Sequence, residues 1–390
     1  MKRLTLTKVI ASLLVVASVL ALNSIGASAS WRQNSKGWWY TVESAATGWM
    51  KIDGKWYYFY SDGYMAHDTI IDGFKLGSDG VCILNQETES TRNLDEKIDE
   101  VTVETAQEFV NAIGSNKRIL LKPGVYNLSS IDQINKLDNS VVWNTVYDGS
   151  ELNLQDIHNL TIEGIDSGKV EIKVAPRYAN IMKFTNASNI SIKNIIAGHT
   201  PAAYECDAGV FEFNNSNDIA IMNSELYGCG SIGLSLNNVK RLNTSNCKID
   251  HCSLRAIQIY NSEAIKFTEN KIVNHEAYSN IIMINGSKDI TFEKCEIADN
   301  NKFSWSFIEA LDNSNVVLDK CVIKNNSNAV NSDFQSDKVY FFNTIDYSGI
   351  SNSKITIKNS EISDNKCDYL LGNKDSVKFE NCTVNNNVWK

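Results

Sequence analysis

Proline is nearly missing from this chain of 390 residues, with three Pro against 21 Gly. That excludes a Pro-rich stalk. With 43% hydrophobic and 21% charged residues, a disordered chain and a collagen-like fibre are excluded too. The five His are scattered and no Cys-x-x-Cys pair occurs, so a zinc site finds no support in the spacing. No phosphate loop, nucleotide motif or nucleophile elbow is found. Beyond the first segment there is no apolar run long enough to span a bilayer. A cationic excess is also lacking: 37 basic residues face 46 acidic ones, a net charge of −9. Nucleic acid and anionic lipid are therefore poor general partners.

The first 29 residues read as a secretory signal peptide. Lys2, Arg3 and Lys8 make a basic start, Val9 to Leu22 is mostly apolar, and Ala27-Ser28-Ala29 fits the small-residue cleavage rule. Cleavage removes three cations and no anions, which takes the net charge to −12 and leaves no membrane anchor. Nine Cys in an exported protein invite a disulfide framework, but the number is odd and no short regular spacing appears.

Aromatic residues crowd one short stretch instead. Trp38-Trp39-Tyr40, Trp49, Trp56-Tyr57-Tyr58-Phe59-Tyr60, Tyr64 and Phe74 fall within residues 30–80. Asp53-Gly54 and Asp62-Gly63 between the aromatic runs predict short hairpins. Gly48-Trp49-Met50-Lys51, Asp53-Gly54-Lys55-Trp56-Tyr57-Tyr58-Phe59 and Asp62-Gly63-Tyr64-Met65 resemble the choline-binding, or cell-wall-binding, repeats of Gram-positive surface proteins. A degenerate next unit is Ile71-Asp72-Gly73-Phe74-Lys75-Leu76 with Asp79-Gly80. The resemblance implies attachment to a wall glycan such as teichoic acid. Trp49 and Trp56 would be walls of an aromatic cage completed by Tyr58 or a neighbouring ring, held to choline by cation–π attraction. The same rings can instead serve only to pack the hairpins, and both readings stand. Residues 81–100 are polar and acidic and read as a linker.

From Leu160 a short apolar pattern returns, starting at Leu160, Ile190, Ile219, Leu242, Ile265, Ile290, Val316, Ile355 and Val377. A period near 23 residues with alternating apolar positions predicts one turn of a β-solenoid per repeat. Five residues further on the column is mostly Ser, Cys and Asn; ten residues on it reads Cys229, Cys252, His275, Asn300, Asn326, Asn365, Asn387. Stacked small residues and amide ladders would account for 46 Asn and assign most cysteines to packing. A second strand precedes each copy, with Met182/Phe184, Phe211/Phe213, Leu234/Leu236, Ile257/Ile259, Ile282/Ile284 and Ile308/Ala310 pointing inward. Glu104 to Ile113 has one apolar face and predicts a helix covering the open end.

The cap helix, Lys122-Pro123-Gly124-Val125-Tyr126 and the stacked turns resemble the right-handed parallel β-helix of the pectate-lyase-like superfamily over residues 101–390. The right hand is implied by the resemblance, not by the repeat. That superfamily holds polysaccharide lyases, glycoside hydrolases, esterases, epimerases and non-catalytic adhesins. An all-β chain that binds, and in one reading cleaves, a polysaccharide at a Gram-positive surface follows. The alternative is a non-catalytic adhesin. Neither the Arg-x-Pro-x-x-Arg motif of pectate lyases nor the Asn-Thr-Asp and Gly-His-Gly motifs of polygalacturonases is present.

Chemistry is expected on the outward positions between the inward pairs: Lys183, Glu212, Ser235, Gln258, Met283 and Glu309. Lys183 and Glu212 fall on adjacent turns, near Arg177 and a connection carrying His199, Tyr204, Glu205 and Asp207. For a lyase, Lys183 or Arg177 would be base or neutraliser, and Glu205, Asp207 and Glu212 would hold calcium. For a hydrolase, Asp207 and Glu212 would be the paired carboxylates. His199, Tyr204 and Glu205 would contact the glycan. An outward Lys183–Glu212 pair should be replaceable without loss of stability. Weaker candidates are His251 with Arg255, which reads as structural, and Glu309 near Trp305 and Phe307. Phe334, Tyr340, Phe341 and Phe342 lie in an insertion expected to cover one side or meet a partner.

Overall fold

The computed structural model describes residues 30–41, 46–52, 55–60, 62–71, 74–83, 98–165, 168–202, 205–228, 230–329, 338–346, 348–350 and 352–390. The expected signal segment, the turn residues Asp53-Gly54, most of the expected linker, Tyr204, Cys229 and Phe334 lie outside them. Two units separate, residues 1–95 and 96–390, and each is taken by itself.

In the larger unit each turn of chain adds one strand to each of three long sheets. A side sheet of 11 strands runs from Asp99–Val103 to Val377–Glu380, and a back sheet of ten from Gly124–Asn127 to Thr383–Asn385. A front sheet of ten runs from Val141–Val146 to Tyr369–Leu371, opening with an antiparallel hairpin to Gly149–Gln155 before the parallel turns begin. The fold is a parallel β-helix. Leu160, Ile190, Ile219, Leu242, Ile265, Ile290, Val316, Ile355 and Val377 stand opposite one another in register along the side sheet. All are buried. The repeat read from apolar spacing is thus the physical rung.

Stacked identity extends to the polar columns. The amides of Asn300, Asn326 and Asn365 donate to the side-chain oxygens of Asn326, Asn365 and Asn387 at 2.8–2.9 Å. His275 occupies a rung of the same ladder, its Nδ1 accepting from Cys252 N–H at 3.0 Å and its Nε2–H donating to the Ile249 carbonyl at 3.0 Å. Cys247, Cys295, Cys321 and Cys382 aim their thiols at strand carbonyls and are free. A third column escapes the sequence analysis: Ser262, Ser287, Ser314 and Ser353 each accept a backbone N–H from the preceding turn. Asn has a second use as well. Many corners, among them Asn186, Asn215, Asn238 and Asn261, have positive φ, a conformation that Asn tolerates better than most residues.

At the open end, the helix Ala106–Ala112 is closed by a capping box between Thr105 and Glu108 and buries Phe109 and Val110. Lys136 caps its other end through the carbonyls of Asn111 and Ile113. Two expectations are corrected. The aromatic insertion does not cover the outside: Tyr340–Asn343 is a front-sheet strand in register with Ser306–Leu311, and Phe341 and Phe342 are core. Two consecutive inward Phe break the alternation on which the strand search relied. Cys206, which was not among the cysteines assigned to packing, is disulfide-bonded. Finally, strands enter both ends of the expected 81–100 linker, Cys82–Ile83 pairing with Phe74–Leu76 and Asp99–Val103 joining the side sheet.

The smaller unit is built of hairpins. Ser30–Asn34 pairs with Gly37–Thr41, Gly48–Ile52 with Lys55–Phe59, and Thr69–Ile71 with Phe74–Leu76. Phe59 is fully buried with Ile52, Ala46 and Met65, and the Trp31 ring packs edge-on against Tyr57 at 4.8 Å.

Two outcomes follow. Burial pushes the His275 imidazole down to about 4 from 6.5. The unfolded chain takes up that proton below 6.5 while the folded one resists it until about 4. Stability therefore falls through this window as the solution is acidified, by about 3 kcal/mol in total. His275→Asn, which restores the ladder residue, should remove that pH dependence, and His275→Ala should cost about 2–3 kcal/mol at neutral pH; urea unfolding at several pH values reads both. Alkylation of the unfolded, unreduced protein should label Cys247, Cys252, Cys295, Cys321, Cys367 and Cys382 and spare Cys206, as read by mass spectrometry.

Candidate functional site

Alternation on the front sheet turns one residue per rung outward at the strand centre. Register lines up Asn153, Lys183, Glu212, Ser235, Gln258, Met283, Glu309 and Asn343 in a single file. From Lys183 to Glu309 the file is about 24 Å long, at one strand spacing per turn.

At its first end, Lys183 Nζ lies 3.1 Å from Glu212 and 3.9 Å from Glu151. Glu151 is nearly buried and was not anticipated, because the repeat search began downstream of its strand. Asn180 joins the two carboxylates, its Nδ2 donating to Glu151 at 2.7 Å and Glu212 at 3.0 Å. Its Oδ1 accepts Gly209 N–H at 2.8 Å. That approach requires glycine, since a Cβ at residue 209 would stand 2.9 Å from Asn180 Oδ1 and 2.5 Å from the Ile232 carbonyl. Asn214 donates to Glu212 at 2.6 Å. The structure thus brings Lys183 and Glu212 together as expected, but inside a network that already satisfies both.

The surrounding loop is similarly engaged. Arg177 pairs with Glu205 at 3.1 Å, and the Asp148 carboxylate accepts the N–H groups of Arg177 and Tyr178. Tyr178 bonds to Asp207, whose charge raises the phenol pKa, and its ring meets the highly exposed Tyr147 at 5.2 Å. His199 is corrected: it is 1% exposed, below the surface, with Nε2 at 2.9 Å from the Ala179 carbonyl. Burial lowers its pKa, and at that depth the ring does not reach the surface. The expected calcium ligands Glu205, Asp207 and Glu212 have these separate partners. Among the described residues no group of three or more His, Cys, Asp or Glu side chains is arranged to hold a metal ion.

Two hollows lie along the file. One of about 530 Å3 is lined by Asp207, Glu212, Ser235, Gln258 and Tyr260. The other, about 580 Å3, is lined by Arg255, Asn280, Trp305, Glu309, Tyr340 and Asp346. Arg255 joins them, its guanidinium donating to Gln258 at 2.7 Å and Ser279 at 3.0 Å. It does not pair with His251, which turns to Asp250 at 2.8 Å. Glu309 is 7% exposed, accepts Asn343 Nδ2 at 2.9 Å, and has its carboxyl pKa raised by burial. Asn280 Nδ2 is buried and has no hydrogen-bond partner among the described residues.

In the smaller unit Trp49 stands opposite Tyr58 and Lys51 opposite Trp56 on paired strands. The strands of Trp49 and Trp56 are described and their side chains are not; Tyr58 meets Tyr60 at 5.9 Å.

Residues 46–75 match the family model of a choline-binding repeat, and residues 276–389 that of a right handed beta helix region, in line with the hand implied by the resemblance. No curated protein matches the chain. Among solved structures it is similar to an alginate lyase from Paenibacillus sp. str. FPU-7, at 12% identity over 75% of this chain and 97% of that one, with a TM-score of 0.48. It is also similar to pectate lyase Pel9A, at 12% over 74% and 77%, TM-score 0.46. The periplasmic alginate epimerase AlgG matches at 11% over 73% of each chain, TM-score 0.41. At these identities no activity passes from them to this chain.

The network around Lys183 carries a prediction opposite to that of a free surface pair. Lys183→Ala strands the nearly buried Glu151 and should lower unfolding free energy by about 1–3 kcal/mol, read by urea denaturation. A loss below about 0.5 kcal/mol would return the pair to ordinary surface status.

Proposed function

We propose that this is an exported protein held at a Gram-positive cell wall by its N-terminal hairpins, whose β-helix binds a polysaccharide lengthwise along the front sheet. The observation carrying the second half is the eight-residue outward file with two hollows beside it. A chain of sugars presents hydroxyls along its edges and C–H faces in between. The file supplies carboxylates and amides to the first, while Tyr178, Tyr278 and Trp305, all substantially exposed on the loops before the front strands, suit the second. The satisfied state of Lys183 and Glu212 favours binding over chemistry at that end. Wall attachment is supported by the repeat match over residues 46–75 and by the Trp49–Tyr58 register, with choline of teichoic acid as the ligand its aromatics suit.

Affinity electrophoresis of the full chain in gels containing hydroxyethylcellulose, polygalacturonate or soluble wall polysaccharide tests the groove. At least one should retard it, and Trp305→Ala should weaken that binding about tenfold, the loss of one aromatic contact of about 1.4 kcal/mol. Retention on purified wall should be unchanged by Trp305→Ala and abolished by free choline. Retention that resists choline would reject choline as the wall ligand.

A further inference from the structure

The hollow at Glu309 differs from the rest of the file. The file's other two charges, Lys183 and Glu212, pair with each other. Glu309 instead shares its hollow with Tyr340 and Asn343 of the next turn, Asn280 and Trp305. Asn343 and Ser306 both donate to its Oε1. Asp346, which lines the same hollow, is held by the N–H groups of Ser348 and Ile350 and by the Ser348 hydroxyl, and all three land on Oδ1. Each carboxyl is thus anchored through one oxygen. Asn280 Nδ2, buried and without a partner at hydrogen-bond distance, lines the same hollow and acts on the Glu309 carboxyl to lower its pKa.

We propose that Glu309 and Asp346 are the acid and base of a glycoside-hydrolysing centre in this hollow, with Trp305 and Tyr340 as the sugar platform. This rests on the polysaccharide reading above and assigns it a reaction. Glu309 Oε2 donates its proton to the glycosidic oxygen. The C1–O bond breaks, its electron pair leaving with that oxygen as a hydroxyl. A water oxygen bonds to C1, and its proton passes to Asp346 Oδ2. Only solvent water is consumed. The environments of the two carboxyls match these roles: burial raises Glu309, while the hydrogen bonds from Ser348 and the loop backbone lower Asp346. The other charged or titratable groups facing the hollow are Arg255 from two turns before, and Lys338 and Tyr340 from the turn after. Arg255 pulls Glu309 downward by less than burial pushes it up. A base acting through water places attack on the face opposite the leaving group, so the product anomer is inverted.

The full chain is assayed on the same three polysaccharides for reducing ends, for the ultraviolet absorbance of an unsaturated sugar, and for anomeric configuration by proton NMR. Reducing ends without that absorbance, in inverted configuration, are expected from a polysaccharide that binds. Glu309→Gln and Asp346→Asn should each lower kcat by about 100-fold or more with binding retained in the affinity gel. The kcat profile should be bell-shaped, its alkaline limb absent from the residual activity of Glu309→Gln. Tm of each variant separates chemistry from misfolding, and Trp305→Ala should raise KM more than it lowers kcat. Binding without reducing ends, an unsaturated product, a retained anomer, or full activity in either carboxyl variant overturns the proposal while leaving the groove intact. Failure to bind any of the three overturns the groove reading itself.

Discussion

Each turn of this chain must lie on the one before it at the spacing of a strand pair, about 4.8 Å. At that distance side chains on successive rungs cannot ignore one another. Inward positions become columns of Ile, Leu and Phe, and like rings stack, as Phe184 on Phe213 at 4.5 Å and Phe267 on Phe292 at 4.6 Å. Polar residues survive inside only where the next rung offers a partner, which is why Asn, Ser and Cys recur at fixed offsets. An Asn amide donates upward and accepts from below, so a column of them satisfies its own members. His275 keeps its place because a neutral imidazole can also accept on one side and donate on the other.

The same constraint shapes the outside. Charges on adjacent rungs fall within ion-pair reach, as in Arg241–Asp218, Lys248–Glu225 and Lys183–Glu212. Such pairs neutralise one another. A group poised for chemistry requires that something depart from the pattern. At Glu309 two departures meet, a buried front strand with aromatic neighbours and a loop after Asn343 that returns Asp346 to the surface beside it. The carboxyl is then desolvated by more than the Arg255 charge offsets.

The two units solve the problem of short strands differently. Hairpins of five residues bury little, and the smaller unit relies on a few large rings around Phe59 and Trp31. The β-helix instead gains stability by addition, each rung burying the face of its neighbour. Its weak point is an exposed end, and the Ala106–Ala112 helix with Phe109 against Tyr126 covers the first rung.

Rung length, register and inward columns were legible from residues alone, because period-two alternation and a repeat near 23 are properties of local sequence. Leu160 through Val377 fell into register as spaced, and the His275–Asn387 ladder formed as the column implied. The outward file, including Lys183, Glu212 and Glu309, followed from the same alternation. What alternation cannot say is how much water reaches an outward residue. Glu151 closing on Lys183, Asn180 bridging two carboxylates, His199 lying beneath the surface and Asp346 beside Glu309 all depend on loops whose paths no repeat specifies. Two consecutive buried Phe hid the strand that covers Glu309 for the same reason. Spacing along the chain determined which residues share a rung. Burial and partners, and with them which carboxyl has its pKa raised, were decided only by the tertiary structure, because desolvation is set by neighbours distant in sequence.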